Sequence, residues 1–509
     1  MAGAAASLLV LLPLGYTAIE AMQVSGDDIS DLLFRPLIGE LLLNTLALVF
    51  CTTLAAALLG TATAWFVERT TLPGRRVWAV LTAVPLAIPP FISSFAWVSF
   101  SPALQTFGGA LLIVTSSYYP LVYLPVAAAL RGMDPALEET ARSLGLGPYA
   151  CFRRVVLPQL RPALLGGMLL VALNTLVEFG AFALLRFRTF TTEIYAEYRT
   201  GLDGPEPALL AMVLVALCLL CLLGEHKVQG RVRYARVGQG VRRRLPLHAL
   251  GWAALPVLGG FVLLASATLG MPIGMILFWV TQHNSAATAA VQVSPRLLAE
   301  ATFSSLWLGM SAAAVTLLLA LPLGILATRY QGRLVTLLER SAYLAQGVPG
   351  IVVALALVGL TVQALKPLYQ SAALLILAYA VLFLPLALVS VRTALMQAQR
   401  QHEEAGRSLG LGWAATAWRI TLPLAGPGLG AAAALVFVAV VTELTTTLLL
   451  SPIGTRTLAT QVWADTTTLA FAAAAPYAAA MVALSLCSTW ILARRFGRTG
   501  DSGGAIGLG

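Results

Sequence analysis

An all-α integral membrane protein of about twelve transmembrane helices, arranged as two parallel six-helix repeats, is the fold class this 509-residue sequence predicts. Three observations predict it: the composition, the spacing of the apolar runs, and a polar decamer that occurs twice. The chain is 59% hydrophobic and 11% charged, with a mean hydropathy of +0.85, whereas soluble domains carry about 25% charged residues. A water-soluble globule could not bury that much apolar surface.

Apolar runs of roughly 18 residues can each cross a bilayer core of about 30 Å as a helix, because a helix satisfies its own backbone groups in lipid. Twelve are present, at 4–24, 41–67, 77–100, 108–130, 163–185, 208–223, 250–280, 306–327, 344–365, 372–391, 429–450 and 469–493. The first has no basic flank and no small-x-small cleavage site before the polar stretch that follows, so it reads as a retained helix rather than a signal peptide. The sixth is short. An even number of spans puts both termini on one side. With that side cytoplasmic, only Arg35, Arg186, Arg188, Arg199, Arg296, Lys366 and Arg456 of the 32 Lys and Arg fall outside, the bias of the positive-inside rule. The net charge of +10 is therefore an orientation signal, and no nucleic-acid partner is expected.

The decamer "EETARSLGLG", Glu138 to Gly147, returns as "EEAGRSLGLG", Glu403 to Gly412, and both copies fall on the cytoplasmic side. The repeat is wider than the decamer. At an offset of 260, Arg69 matches Arg329, Pro89 matches Pro349, and "YLP" at Tyr123 matches "FLP" at Phe383; at 265, Glu139 matches Glu404, Gly145 matches Gly410, Pro158 matches Pro423 and Glu178 matches Glu443. Six spans separate equivalent points, so the halves have the same orientation and are related by an axis along the membrane normal.

Glu139, Thr140, Ala141, Gly145, Val155, Leu157 and Pro158, repeated as Glu404, Ala405, Gly406, Gly410, Ile420, Leu422 and Pro423, resemble the cytoplasmic "EAA" loop of type I ABC importer permeases. Thr140 and Gly406 replace the usual alanines and keep the size restriction. The resemblance covers nearly the whole chain and implies the type I ABC importer permease fold. It also implies coupling to an ATPase through a short docking helix in each loop, which assigns Glu138, Glu139, Ala141, Gly145, Leu157, Pro158, Glu403, Glu404, Gly406, Gly410, Leu422 and Pro423 to that contact. The residues agree. Small side chains after a glutamate permit close approach, Gly145 and Gly410 can end the helix in a left-handed cap, and Pro158 and Pro423 can reset the chain before the next span. The bland alternative is a pair of solvated connectors.

The expected organisation is a first helix and outer loop at 1–39, a first permease repeat at 40–224 with its coupling loop at 131–162, and a basic linker at 225–249. A seventh helix and outer loop at 250–299, a second repeat at 300–494 with its coupling loop at 392–427, and a cytoplasmic tail at 495–509 complete it. The linker, basic from Lys227 to Arg244, reads as an orientation signal beside anionic lipid or as a regulatory patch.

The chain itself is not expected to be an enzyme. Its two lysines, Lys227 and Lys366, precede Val228 and Pro367, so the Lys-Ser/Thr end of a phosphate-binding loop is absent. The resemblance places ATP and Mg on a partner ATPase, two copies of it, and implies an extracytoplasmic solute-binding protein; no metal or cofactor is expected on this chain. Cys218 and Cys221 are spaced as CxxC inside an apolar run and read as packing residues, and His226, His248, His283 and His402 are scattered. Glu178 and Glu443 are carboxylates within apolar runs, with Asn174 one turn before Glu178 on the same face. An ionisable group in a span costs about 2.5–3.5 kcal/mol on insertion scales. These three are the candidate lining of a translocation path for a hard, oxygen-preferring cation, or else they form structural hydrogen bonds between gate helices.

"PLAIPPFISSFAW" from Pro85, "VEFGAFALLRFRTFTTEIYAEY" from Val177 and "TELTTTLLLSPIGTRTLATQVW" from Thr442 resemble the fused permeases of ferric-iron importers. The implied function is import of ferric iron across a bacterial cytoplasmic (inner) membrane. Fused permeases for thiamine, polyamines or phosphonates share the architecture, and an ion-gradient-driven secondary transporter or a membrane scaffold is the reading from another class.

Overall fold

Helices account for nearly all the regular structure in the computed structural model, which describes residues 2–24, 35–200, 206–229, 247–282, 294–330, 332–398 and 400–497. The basic side chains of the linker and the tail, together with His226 and His283, lie outside the described residues. Ten helices among the described residues are long and apolar enough to cross a membrane, and two bent pairs bring the number to twelve if each counts as one span.

The first set comprises α1 (Ala2–Ala21), α2 (Pro36–Arg69), α3 (Arg75–Ala87), α4 (Pro90–Phe100), α5 (Phe107–Gly132), α6 (Pro135–Ser143), α7 (Pro148–Val177), α8 (Gly180–Leu184), α9 (Phe190–Thr200) and α10 (Glu206–Gln229). The second comprises α11 (Gly251–Thr281), α12 (Pro295–Arg329), α13 (Arg333–Gly347), α14 (Gly350–Gln363), α15 (Ala372–Gln397), α16 (Arg400–Ser408), α17 (Trp413–Val441), α18 (Thr445–Leu450), α19 (Leu458–Thr467) and α20 (Phe471–Gly497).

The runs expected as single spans at 77–100 and 344–365 are broken. α3 meets α4 at 91° and α13 meets α14 at 105°. The cause is local: Pro89-Pro90 and Pro349 lack amide donors, and the residue before a proline is pushed out of the helical region. Ile88 and Val348 accordingly have extended ψ values of 113° and 117°. The run at 163–185 also breaks, at Glu178, where ψ is 126°.

Two compact units emerge. One holds Asp31–Glu193 and Ala216–Phe278; its core is α2, α5 and α7 packed together, with Phe261 of α11 against Trp78 at 5.3 Å. The other holds Met1–Ser30, Ile194–Val215 and Trp279–Gly509; there α12, α15 and α17 pack together and α1 lies on α12, α13 and α14. Each repeat is thus completed by the helix that precedes the other repeat in the chain. Packing in the first core relies on small residues. A Cβ on Gly60 or Gly167 would come within 2.8–2.9 Å of the α5 backbone or side chain at Val122 and its neighbours, so α2 and α7 approach α5 as closely as membrane helices with small contact residues do. The opposite face of α2 exposes Leu43, Phe50 and Leu58, as a lipid-facing stripe requires.

Candidate functional site

The decamers form α6 and α16. Asp134 caps α6 by accepting from the Ala136 N–H (3.0 Å), and Pro135 occupies the first turn, where its missing donor costs nothing. Both helices stop at a glycine in the left-handed region, Gly145 at φ +82° and Gly410 at φ +88°. Leu146 N–H then reaches Ala141 O and Leu411 N–H reaches Gly406 O, each at 3.1 Å, the closing bond of a Schellman end.

On α6, Pro135, Glu138 and Ala141 are buried while Glu139 is exposed; on α16, Glu403 and Gly406 are buried while Glu404 is exposed. The two adjacent glutamates therefore have different work. Glu138 accepts from Arg69 Nη2 at 2.7 Å, and Arg69 is 1% exposed with its guanidinium 5.9 Å from the Trp65 ring. Glu403 accepts from Arg329 Nη2 at 2.7 Å and Nε at 3.1 Å, and from the Thr421 hydroxyl at 3.0 Å. Arg329 Nη2 also reaches the carbonyls of Leu395 (3.2 Å) and Ala398 (3.0 Å). Each arginine fixes its short helix to the end of the long helix that opens the repeat. Among the described residues Glu404 pairs with exposed Arg400, at 3.0 Å. The outward side carries Leu144 and Tyr149 in one copy and Leu409, Trp413 and Trp418 in the other, all exposed.

Arg69 and Arg329 were legible only as basic residues at matched positions. The signal that could have found them is the matched recurrence of Arg and Glu in a chain with so few charges. Pro158 and Pro423 do not reset the chain: α7 and α17 continue through them, with Leu157 and Leu422 alongside. Immediately upstream, Phe152–Val156 and Ala417–Thr421 are π-helical; the widened turn absorbs the ring and missing donor of the proline.

Glu178 and Glu443 are half-buried at the breaks before α8 and α18. Glu178 accepts from the Ala181 N–H (2.9 Å) and the Tyr118 hydroxyl (2.6 Å). Glu443 accepts from the Thr446 and Thr447 N–H groups (2.9 and 3.1 Å), and Tyr379 O–H lies 2.6 Å from the Thr447 hydroxyl. Both carboxylates cap the start of the next helix. Asn174 donates to Leu170 O at 2.8 Å, within its own helix, and makes no bond to Glu178.

A pair of repeats, each with a broken span and a short helix anchored by an Arg–Glu pair, defines a two-half transport permease. Residues 72–227 and 320–496 both match the family of binding-protein-dependent transport system inner membrane components, and the chain belongs to that family. It is a multi-pass inner-membrane transport subunit. Over 486 residues, 95% of this chain and 96% of the relative, it is 37% identical to the Fe(3+)-transport system permease protein FbpB 2 of Haemophilus influenzae. The sulfate transport system permease protein CysT of Salmonella typhimurium is 27% identical over 45% of this chain and 91% of its own length. A probable molybdenum ABC transporter permease protein of Haloferax volcanii is 30% identical over 43% of this chain and 85% of its own. Such relatives correspond to one half, so this chain joins two permeases in one polypeptide.

Proposed function

We propose that this chain is the membrane-spanning permease subunit of an ATP-driven importer of ferric iron, with 40–224 and 300–494 as its two permease repeats. Two copies of a cytoplasmic ATPase carry the ATP and Mg and dock on α6 and α16; both chain termini lie on the same cytoplasmic side, and an extracytoplasmic binding protein delivers the solute. Membrane lipid is a further partner. The observation that carries the reading is the duplicated docking helix: a buried glutamate anchored to arginine, an exposed glutamate beside it, and a small-residue face between. The iron assignment draws on the name of the relative that matches along 95% of the chain.

The test is uptake into proteoliposomes holding this chain with its ATPase. Ferric uptake that requires internal ATP and external binding protein is expected. Uptake driven by an ion gradient with no nucleotide would overturn the importer reading, while ATP-dependent uptake of thiamine, polyamine or phosphonate instead of iron would overturn only the substrate.

A further inference from the structure

α6 and α16 are alike in sequence and unlike in what stands behind them. In the first repeat, residues 247–250 at the end of the linker lie along the end of α2. His248 N–H donates to Arg69 O (2.8 Å), Thr71 N–H donates to His248 O (3.0 Å), and Leu250 N–H reaches the Thr71 hydroxyl (3.3 Å). The imidazole stacks on Trp65 with centroids 5.9 Å apart and planes at 18°, and Phe152 meets the same indole edge-on at 5.0 Å. From α6, Arg142 Nη2 lies 3.3 Å from His248 Nε2. A guanidinium only donates, so Nε2 is the bare, accepting nitrogen.

The matching positions of the second repeat are Ile325 for Trp65, Tyr330 for Thr70, Ala417 for Phe152 and Arg407 for Arg142. There the protein leaves a cavity of about 30 Å³, lined by those four residues with Arg329 and Glu403. At about 10–15 Å³ per water, that is room for roughly two. What the first repeat fills with two rings and a histidine, the second leaves open.

We propose that His248 is a positioning residue that braces the docking helix of the first repeat against α2, so that the two docking helices of this permease are mechanically unequal. The consequence for transport rests on α6 and α16 being docking helices; the brace itself does not. Trp65 and Arg69 of α2, and Glu138 and Arg142 of α6, are the groups that face the ring. Burial first, and Arg142 second, hold the imidazole below its ordinary value of 6.5. Its folded-state value is depressed, so the brace is fully present above about pH 6.5 and lost as pH falls through the lowered value.

Hydrogen exchange on the full-length chain in detergent, without its ATPase, tests the brace, with α16 as internal reference. His248→Ala should raise exchange in 135–146 by at least about threefold relative to 400–411 at pH 7.5. His248→Gln keeps an acceptor for Arg142 and cannot titrate, so it should match the unmodified protein at pH 7.5 and lack the relative loosening of α6 that the unmodified protein shows as the pH is lowered stepwise below 6.5. Ile325→Trp with Ala417→Phe should fill the cavity and slow exchange in 400–411. Equal changes in both helices for His248→Ala, or no change in either, would overturn the proposal; so would an acid response retained by His248→Gln. None of these outcomes depends on transport, so failure of the importer reading would appear separately, in the uptake assay.

Discussion

The two Arg–Glu anchors reach one geometry by different means. Around Arg69 the protein excludes water: the side chain is 1% exposed, with Trp65 alongside and its Nε buried without a partner. Around Arg329 it supplies partners: the side chain is 15% exposed, and its nitrogens reach Glu403 and two carbonyls while Thr421 adds a bond to the same carboxylate. Val156 holds the position of Thr421 in the first repeat and can add nothing. The lesson is that a duplicated motif conserves the contact and leaves its environment free to diverge. Hydrogen bonding can replace desolvation as the source of specificity.

The largest effect that would sharpen this contrast comes from removing the arginines. Arg69→Ala strands Glu138 in a dry site, and losing one partner of a buried pair costs about 3–5 kcal/mol. Arg329→Ala leaves Glu403 with the Thr421 hydroxyl in a wetter site, so a loss of about 1–3 kcal/mol is expected. Melting midpoints of the purified permease should fall further for Arg69→Ala. Equal falls would mean that the two environments do not differ energetically.

The helix-break carboxylates come next. Glu443 accepts from two amides and two hydroxyls, Glu178 from one amide and one hydroxyl. Hydrogen bonds to charged groups contribute about 1.5–3 kcal/mol each, so Glu443→Gln should destabilise more than Glu178→Gln. If they serve as caps, the double variant changes basal ATP hydrolysis of the assembled complex, because a gate helix has lost its start. If they line the path, uptake of the cation falls while basal hydrolysis stays. One preparation, assayed both ways, separates the two.

A smaller effect should be common to both halves. Gly145 and Gly410 are left-handed, and a Cβ at either meets nothing within 4 Å. Replacing either with Val costs backbone strain alone, about 1–2 kcal/mol, and should lower solute-stimulated ATP hydrolysis similarly from either side. Gly406→Ala breaks the symmetry, since its Cβ would lie 2.4 Å from Ile420 Cδ1, whereas the first repeat already has Ala141 there. Gly406→Ala should therefore impair stimulation through α16 unless Ile420 turns away.

These glycines also mark how far the sequence carries. The apolar runs and the paired decamers foretold the spans, the duplication and the helix-ending glycines, because those depend on local periodicity and backbone freedom. The bends at Pro89 and Pro349 do not show in the apolar runs, since hydropathy averages across a break. The Arg69–Glu138 pair was hidden for another reason: its partners are 69 residues apart, and only packing decides which of two adjacent glutamates turns inward. For Glu178, composition registered a charge in an apolar run, while the helix start it caps is a tertiary feature.

The smallest expected effect concerns the outer helices α9 and α19. Thr189 N–H bonds the Thr192 hydroxyl as Thr457 N–H bonds that of Thr460, and this register places Asp465 where the first repeat has Glu197. Burial raises the Asp465 carboxyl from 3.8 to about 6. A raised folded-state value means that the folded protein holds this proton more tightly than the unfolded chain does. Its contribution to stability is therefore complete below about pH 3.8 and lost as pH rises through about 6. Asp465→Asn removes that loss. The melting midpoint should rise by about 1 °C at pH 8, the scale of a fraction of a kcal/mol in a chain this long, and should not change at pH 4. A gain of equal size at both pH values would trace to something other than titration, and an identical gain in Glu197→Gln would assign it to the lost charge rather than to the burial that sets the second repeat apart.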